Sequence, residues 1–313
     1  MGPGEVTPGS GDNARSMTQS RSDASAEDDG RGADPPTIVT EADGRRVAYA
    51  DYGDPNGTPV VALHGTPGSR RFGALFDDQA RENGVRLLVP DRPGYGRSSP
   101  VPDRDVADTG ATVAAVLEAE GISRAGIVAF SGGGPHALAV AATRGDRVTE
   151  IDIVSGAPPP SLAADLPAVQ RLLGSLARRT PRILRGLLGV QTRLVARTPP
   201  AVVLSQYTTA AERAEIPPTM AERVRRDFLE GVGTQRDGFV TETRLVTTEW
   251  EFSPSDIDHT VRLWHGDADA NAPLRGARRL RERLPDGELT VLEDAGHLTA
   301  LSRSRSRIVR SQR

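Results

Sequence analysis

Short apolar runs of β-forming residues alternate with amphipathic stretches along most of this chain, and that alternation leaves few architectures open. Residues 60–63, 85–89, 125–130, 148–154, 261–264 and 289–292 each read as a buried strand. Between them, residues 70–83, 106–120, 134–143 and 274–284 carry helical spacing; Val106, Val113, Val116 and Leu117 mark the second of these. Strands joined by helices predict an α/β protein, a mostly parallel sheet with helices on both faces. Upstream, "TIVTEADGRRVAYADYG" sets Asp43-Gly44 between two β-forming halves, a hairpin signal. The rhythm stops over residues 157–249, which hold helical patches and proline breaks but no buried strand. There "LLGSLARRTPRILRGLLG" places Leu172, Leu173, Leu176, Ile183, Leu184, Leu187 and Leu188 among arginines, an amphipathic helical pattern. The expected organisation is a core of residues 37–156 and 250–313, with 157–249 inserted as a helical lid over the sheet's carboxyl edge. Lid leucines of this kind are expected to pack mainly on the core. Residues 1–36 hold almost no large apolar side chains and predict a disordered tail.

The segment that carries most chemistry is "GIVAFSGGGPHALAV". A strand ends at Phe130, Ser131 follows, and glycines lead into a helix. A serine in a sharp strand-to-helix turn projects its hydroxyl from the sheet edge, and the positions two before and two after it must be small. Here they are Ala129 and Gly133; the usual motif has glycine at both. Pro135 in the first helical turn also suits a plain helix cap, so this segment does not decide the function alone. A second turn, His64-Gly65-Thr66-Pro67-Gly68, follows the 60–63 strand. Its Thr66 N–H and the Gly132 N–H could together form an oxyanion hole. Acids stand just beyond a strand in "VRLWHGDADANAP", where Asp267 and Asp269 are both candidates to orient a histidine. His297 stands just beyond the next strand, in "VLEDAGHLTAL". The separation leaves room for one helix and one strand, which puts acid and histidine on adjacent loops at one edge of the sheet. Chain order is serine, acid, histidine, as expected on this kind of sheet.

Taken together, His64-Gly65-Thr66-Pro67, "DRPGYGRS" (91–98), Ser131 with its glycines, Gly266-Asp267-Ala268-Asp269 and Gly296-His297 resemble the α/β-hydrolase superfamily. The resemblance runs over residues 37–313 and is to the lid-bearing branch of esterase-like and proline-iminopeptidase-like serine hydrolases. It implies an α/β-hydrolase fold, Ser131 as nucleophile, His297 as base, Asp269 rather than Asp267 as the acid, Thr66 and Gly132 as oxyanion donors, and no cofactor or metal. "DRPGYGRS" reads physically as a fixed turn and is given no catalytic role. Epoxide hydrolases and haloalkane dehalogenases are similar but use a carboxylate where Ser131 stands, which sets them aside. Thioesterases, carbon–carbon bond hydrolases and cofactor-free haloperoxidases share the triad. Members that cleave N-terminal proline need an acid for the substrate amine, and Glu212 and Glu215 in the insertion are candidates that sequence cannot place. A small-ligand sensor with slow turnover is a rival of another class. The family usually closes with a packed helix, but "LSRSRSRIVRSQR" has few apolar residues beyond Leu301, Ile308 and Val309. A frayed, arginine-faced helix is expected there, with a basic binding tail as the alternative.

Composition narrows the partners. The chain has no cysteine, which excludes disulfides and thiolate chemistry. Its 42 acids nearly balance 39 bases, all of them arginine, so the total charge of −3 draws it to neither nucleic acid nor membrane. A small-molecule substrate is the expected partner. Residues 1–36 lack the apolar stretch of about 7–15 residues that a secretory signal needs, and no segment approaches ~18 consecutive apolar residues. The expectation is a soluble, cytoplasmic protein.

Overall fold

The computed structural model describes residues 1–2, 35–41, 43–163 and 167–313. The disordered tail expected over residues 1–36 lies, for residues 3–34, outside them. Eight strands form one sheet: β1 (Thr37–Thr40), β2 (Arg46–Gly53), β3 (Thr58–Leu63), β4 (Val85–Pro90), β5 (Ala125–Phe130), β6 (Val148–Val154), β7 (Val261–Gly266) and β8 (Gly287–Leu292). Their order is β1-β2-β4-β3-β5-β6-β7-β8. β1 and β2 pair antiparallel across a turn in which Gly44 takes a φ of 85°. β2 also runs antiparallel to β4, and every later pairing is parallel.

Residue alternation along the strands divides the core. Val60 and Ala62 of β3, with Val128 and Phe130 of β5, join one apolar cluster, whereas Val61, Leu63, Ile127 and Ala129 join the other. On the first face pack α1 (Asp77–Glu82) and the C-terminal helix; on the second pack α2 (Thr109–Ala119), α3 (Gly134–Arg144) and a helix between β7 and β8. Each fully buried leucine or valine there contributes about 1.5–3 kcal/mol. Between β6 and β7 lie α4 (Ala168–Arg179), α5 (Pro181–Val195), α6 (Pro200–Leu204), α7 (Ala210–Glu215), α8 (Pro218–Gly233) and α9 (Asp237–Leu245). Their large apolar residues divide: Leu184 and Leu188 are buried, while Leu172, Ile183 and Leu187 face solvent. The chain closes with α10 (Leu274–Arg283), β8 and α11 (His297–Ser311).

The C-terminal segment corrects the sequence expectation. It is a packed helix, with Leu298, Leu301, Ile308 and Val309 buried. Small residues complete its inner stripe: Ala300 and Ser304 are fully buried, and the Ser304 hydroxyl donates to the Ala300 carbonyl at 2.7 Å. Its arginines also serve the core, for Arg307 lies over the Trp264 ring and Arg305 donates to the Leu75 carbonyl. Among the described residues, no helix is long and apolar enough to cross a membrane.

Candidate active site

From β3 the chain crosses to β4 on one side, while β5 takes its place on the other. Adjacent crossovers that diverge in this way open a crevice at the carboxyl ends of the two strands. The turn after β3 carries Thr66, and the turn after β5 carries Ser131. Ser131 has a φ of 54°, in the left-handed region that a side-chain-bearing residue occupies at a cost of roughly 1 kcal/mol or more. Such strain at a strand-to-helix turn lifts the hydroxyl clear of the sheet. Gly133 accepts no substitute, because a Cβ there would lie 2.8 Å from the His64 carbonyl oxygen. Ala129 raises no such conflict: it points into the opposite core cluster and is fully buried.

The His297 Nε2 lies 2.8 Å from the Ser131 Oγ, and its Nδ1 lies 2.8 Å from the Asp269 Oδ2. The other Asp269 oxygen accepts from the backbone N–H groups of Asn271 and Ala272, both at 2.9 Å. Burial alone would raise the Asp269 carboxyl, but His297 and the Ala272 N–H hold it below the usual carboxylate range. Asp267, the other sequence candidate, is exposed. The imidazole sits between Phe130, 4.9 Å away between ring centroids, and Tyr207 of the insertion, 6.2 Å away. Thr66 and Gly132 are in close contact: a Cβ on Gly132 would meet the Thr66 Cβ at 2.8 Å. All five sequence-selected residues except Asp269 line one cavity of about 160 Å³. A smaller cavity of about 30 Å³ adjoins Ser131 and Thr66 on the other side, walled by Phe72, Leu75, Phe130, Val224 and Phe228.

The loop after β3 rests on a buried ionic cluster that the sequence did not disclose. Arg92, fully buried just beyond β4, donates to the His64 carbonyl and, at 3.2 Å, to the Gly65 carbonyl. Glu242 of α9 takes Arg92 on both oxygens at 2.7 and 2.8 Å. The same carboxylate accepts from the Thr66 hydroxyl at 2.7 Å, from Arg104 at 2.8 Å and from Tyr95 at 3.0 Å. Burial opposes its charge, but Arg92 and its neighbours hold Glu242 well below the usual carboxylate range. Burial, with Arg92 and Arg104 nearby, pushes His136, 3.2 Å from Glu242, down to about 4. Within "DRPGYGRS", Asp91 has a structural task, accepting from the Arg70 and Arg97 N–H groups at 2.6 and 3.0 Å.

Acids of the insertion occupy different settings. Glu212 accepts from the Gly296 N–H at 2.6 Å and from the Thr299 hydroxyl at 2.9 Å, at the start of the helix that bears His297. Glu215 pairs with Arg303 at the surface. Asp227 of α8 lines the smaller cavity and accepts from the Ser69 N–H and hydroxyl, both at 2.8 Å; burial pushes its carboxyl up to about 7.

The family profile of the alpha/beta hydrolase fold matches residues 58–304. The chain belongs to that family. Across 83% of its length this hydrolase-fold protein is 31% identical to a probable proline iminopeptidase of Streptomyces coelicolor, covering 88% of that relative. Over 41% of its length it is 36% identical to a non-heme chloroperoxidase of Streptomyces lividans, and it spans 47% of that protein. In fold, the hydrolase resembles an enol-lactonase from Burkholderia xenovorans, with a TM-score of 0.67 and 19% identity over 88% of this chain and 97% of the other.

Proposed function

We propose that the protein is a serine hydrolase that cleaves a small ester through an acyl-enzyme. The observation that carries this reading is the unbroken relay from the Ser131 hydroxyl through His297 to the buried Asp269 carboxylate. In this mechanism the Ser131 Oγ attacks the carbonyl carbon while the His297 Nε2 takes its proton. The oxyanion forms beside the Thr66 and Gly132 N–H groups, each worth ~10²–10³ in rate. Collapse expels the alcohol, which leaves with the proton from His297. Water then attacks the acyl-enzyme with the same imidazole as base, releasing the acid and restoring the serine. Asp269 holds the tautomer and stabilises the imidazolium.

The inserted helices serve as the lid, and the two cavities divide the substrate. The small apolar one beside Phe72 and Phe228 suits a short acyl group, and the larger one the alcohol portion. Among the described residues, the larger cavity has no carboxylate on its wall. Glu212 and Glu242 are committed to protein donors, which leaves them no role as an anchor for a substrate amine. A second reading, amide hydrolysis at N-terminal proline, is favoured by the iminopeptidase relative and by Asp227 at the smaller cavity.

The test is a panel of acetyl, butyryl and longer activated esters beside prolyl anilides, with wild type and Ser131→Ala. Multiple turnovers on short esters, and loss of about 10³-fold or more in Ser131→Ala, are expected. Preference for prolyl anilides selects the second reading. A single-turnover adduct points to the sensor, and an active Ser131→Ala removes the nucleophile assignment.

A further inference from the structure

Most of the insertion buries its apolar face, but α4 and α5 turn part of theirs outward. Val169 and Leu172 on α4, and Ile183, Leu187, Val190 and Leu194 on α5, are each more than half exposed. The α5 residues recur at intervals of four, three and four, which keeps them on one side of the helix. The charge around them is one-sided too. From Leu166 to Ala211 the chain carries seven arginines and no acid; all 42 acids lie elsewhere. Arg171, Arg178, Arg179, Arg182, Arg193 and Arg197 are exposed, and none has an ion-pair partner among the described residues. Only Arg185 is paired, with Asp237.

We propose that this face docks on an anionic lipid surface. Apolar side chains bordered by arginine enter the boundary between headgroups and acyl chains, while guanidiniums pair with lipid phosphates. Charge decides against a second copy of the chain: in a symmetric pair the same patch faces itself, setting these arginines against one another. Nucleic acid would satisfy the arginines and leave the leucine stripe in water. The near-neutral total charge, which predicted no membrane partner, averages over this one basic face. The inner side of α4 supplies Gln170 and Leu173 to the wall of the larger cavity, so docking brings that wall to the interface. Docking requires no turnover and stands apart from the hydrolase reading.

The experiment is flotation of the intact protein with vesicles of phosphatidylcholine alone and of an equimolar phosphatidylcholine–phosphatidylglycerol mixture. Binding is expected to the mixture only and to weaken as salt rises. Arg179→Gln and Arg182→Gln should each lower the partition coefficient about fivefold, and Leu187→Gln with Leu194→Gln should abolish it. Unchanged melting and unchanged hydrolysis of a soluble acetate ester show that these variants fold; if the leucine variant does not, the arginine variants carry the test. The proposal is overturned by absence of flotation, by equal binding to both vesicles, or by folded variants that bind like wild type. A dimer in analytical ultracentrifugation that Leu187→Gln dissolves also overturns it, since a second copy would then cover the face.

Discussion

Ser131, Asp269 and His297 are carried by turns that directly follow β5, β7 and β8, whereas Thr66 is held by a carboxylate that reaches it from α9, 176 residues along the chain. The first group inherits its geometry from strand register: neighbouring parallel strands end at one level, and short turns cannot stray far. The Thr66 turn follows β3 in the same way but leans on a further support. Its carbonyls are drawn to Arg92, and Arg92 is held by Glu242, so its shape depends on the insertion being seated. Ser131 and Asp269 are therefore set by the sheet, whereas the inserted helices reach the Thr66 turn through Glu242 and the turn before His297 through Glu212.

Asp269→Asn should have the largest effect in this comparison. The amide keeps an acceptor for the Asn271 and Ala272 N–H groups but presents a donor to His297 and fixes the wrong tautomer. A fall in kcat of about 10⁴-fold is expected with little loss of melting temperature. Glu242→Gln should act differently, lowering kcat by ~10²–10³-fold and costing stability as well. It leaves Arg92 and Arg104 buried without their counter-charge, a defect of about 3–5 kcal/mol. Binding of a boronate that mimics the tetrahedral intermediate should weaken in parallel with kcat while KM holds. If folded Glu242→Gln turns over like wild type, the two sides of the site are not held differently.

Thr66→Val sharpens the point at smaller scale. It deletes the hydroxyl that Glu242 holds and keeps the backbone N–H, so kcat should fall only about tenfold, within what one misaligned donor can cost. Asp227→Asn probes a second contact between the inserted helices and the loop after β3, and should show chiefly in stability. Folding raises this carboxyl from 3.8 to about 7, so the folded state holds its proton more tightly than the unfolded chain. The stability from that proton is complete below about pH 4 and is lost as pH rises through about 7. Melting temperatures of the wild type should carry this decline between pH 4 and 7, and those of Asp227→Asn should lack it.

The same contrast explains what could be read from the residues. The strands, the crossovers and the segments bearing Ser131, Asp269 and His297 follow from local pattern, since each motif lies within a few residues of a strand end. Arg92 stands in such a place, immediately after β4, and its position was the available signal. Glu242 offered none: it is one acid in a short amphipathic helix, and its importance comes from partners some 140 to 180 residues away. α11 departs from the frayed helix expected of its sequence for another reason. Ala300 and Ser304 fill its inner stripe in place of larger apolar residues, because close packing leaves no space for them. The exposed α5 stripe has the same period as a buried one, and periodicity does not tell which side meets the core.

Glu212 clasps the turn before His297, and Glu242 clasps the loop after β3. A roof clamped at two such points does not swing upward for each arriving molecule, because freeing either carboxylate strands buried donors. Under the proposed hydrolase reading, a substrate is then expected to enter past a fixed rim, so that acceptance falls with the girth of the molecule more than with the lability of its bond.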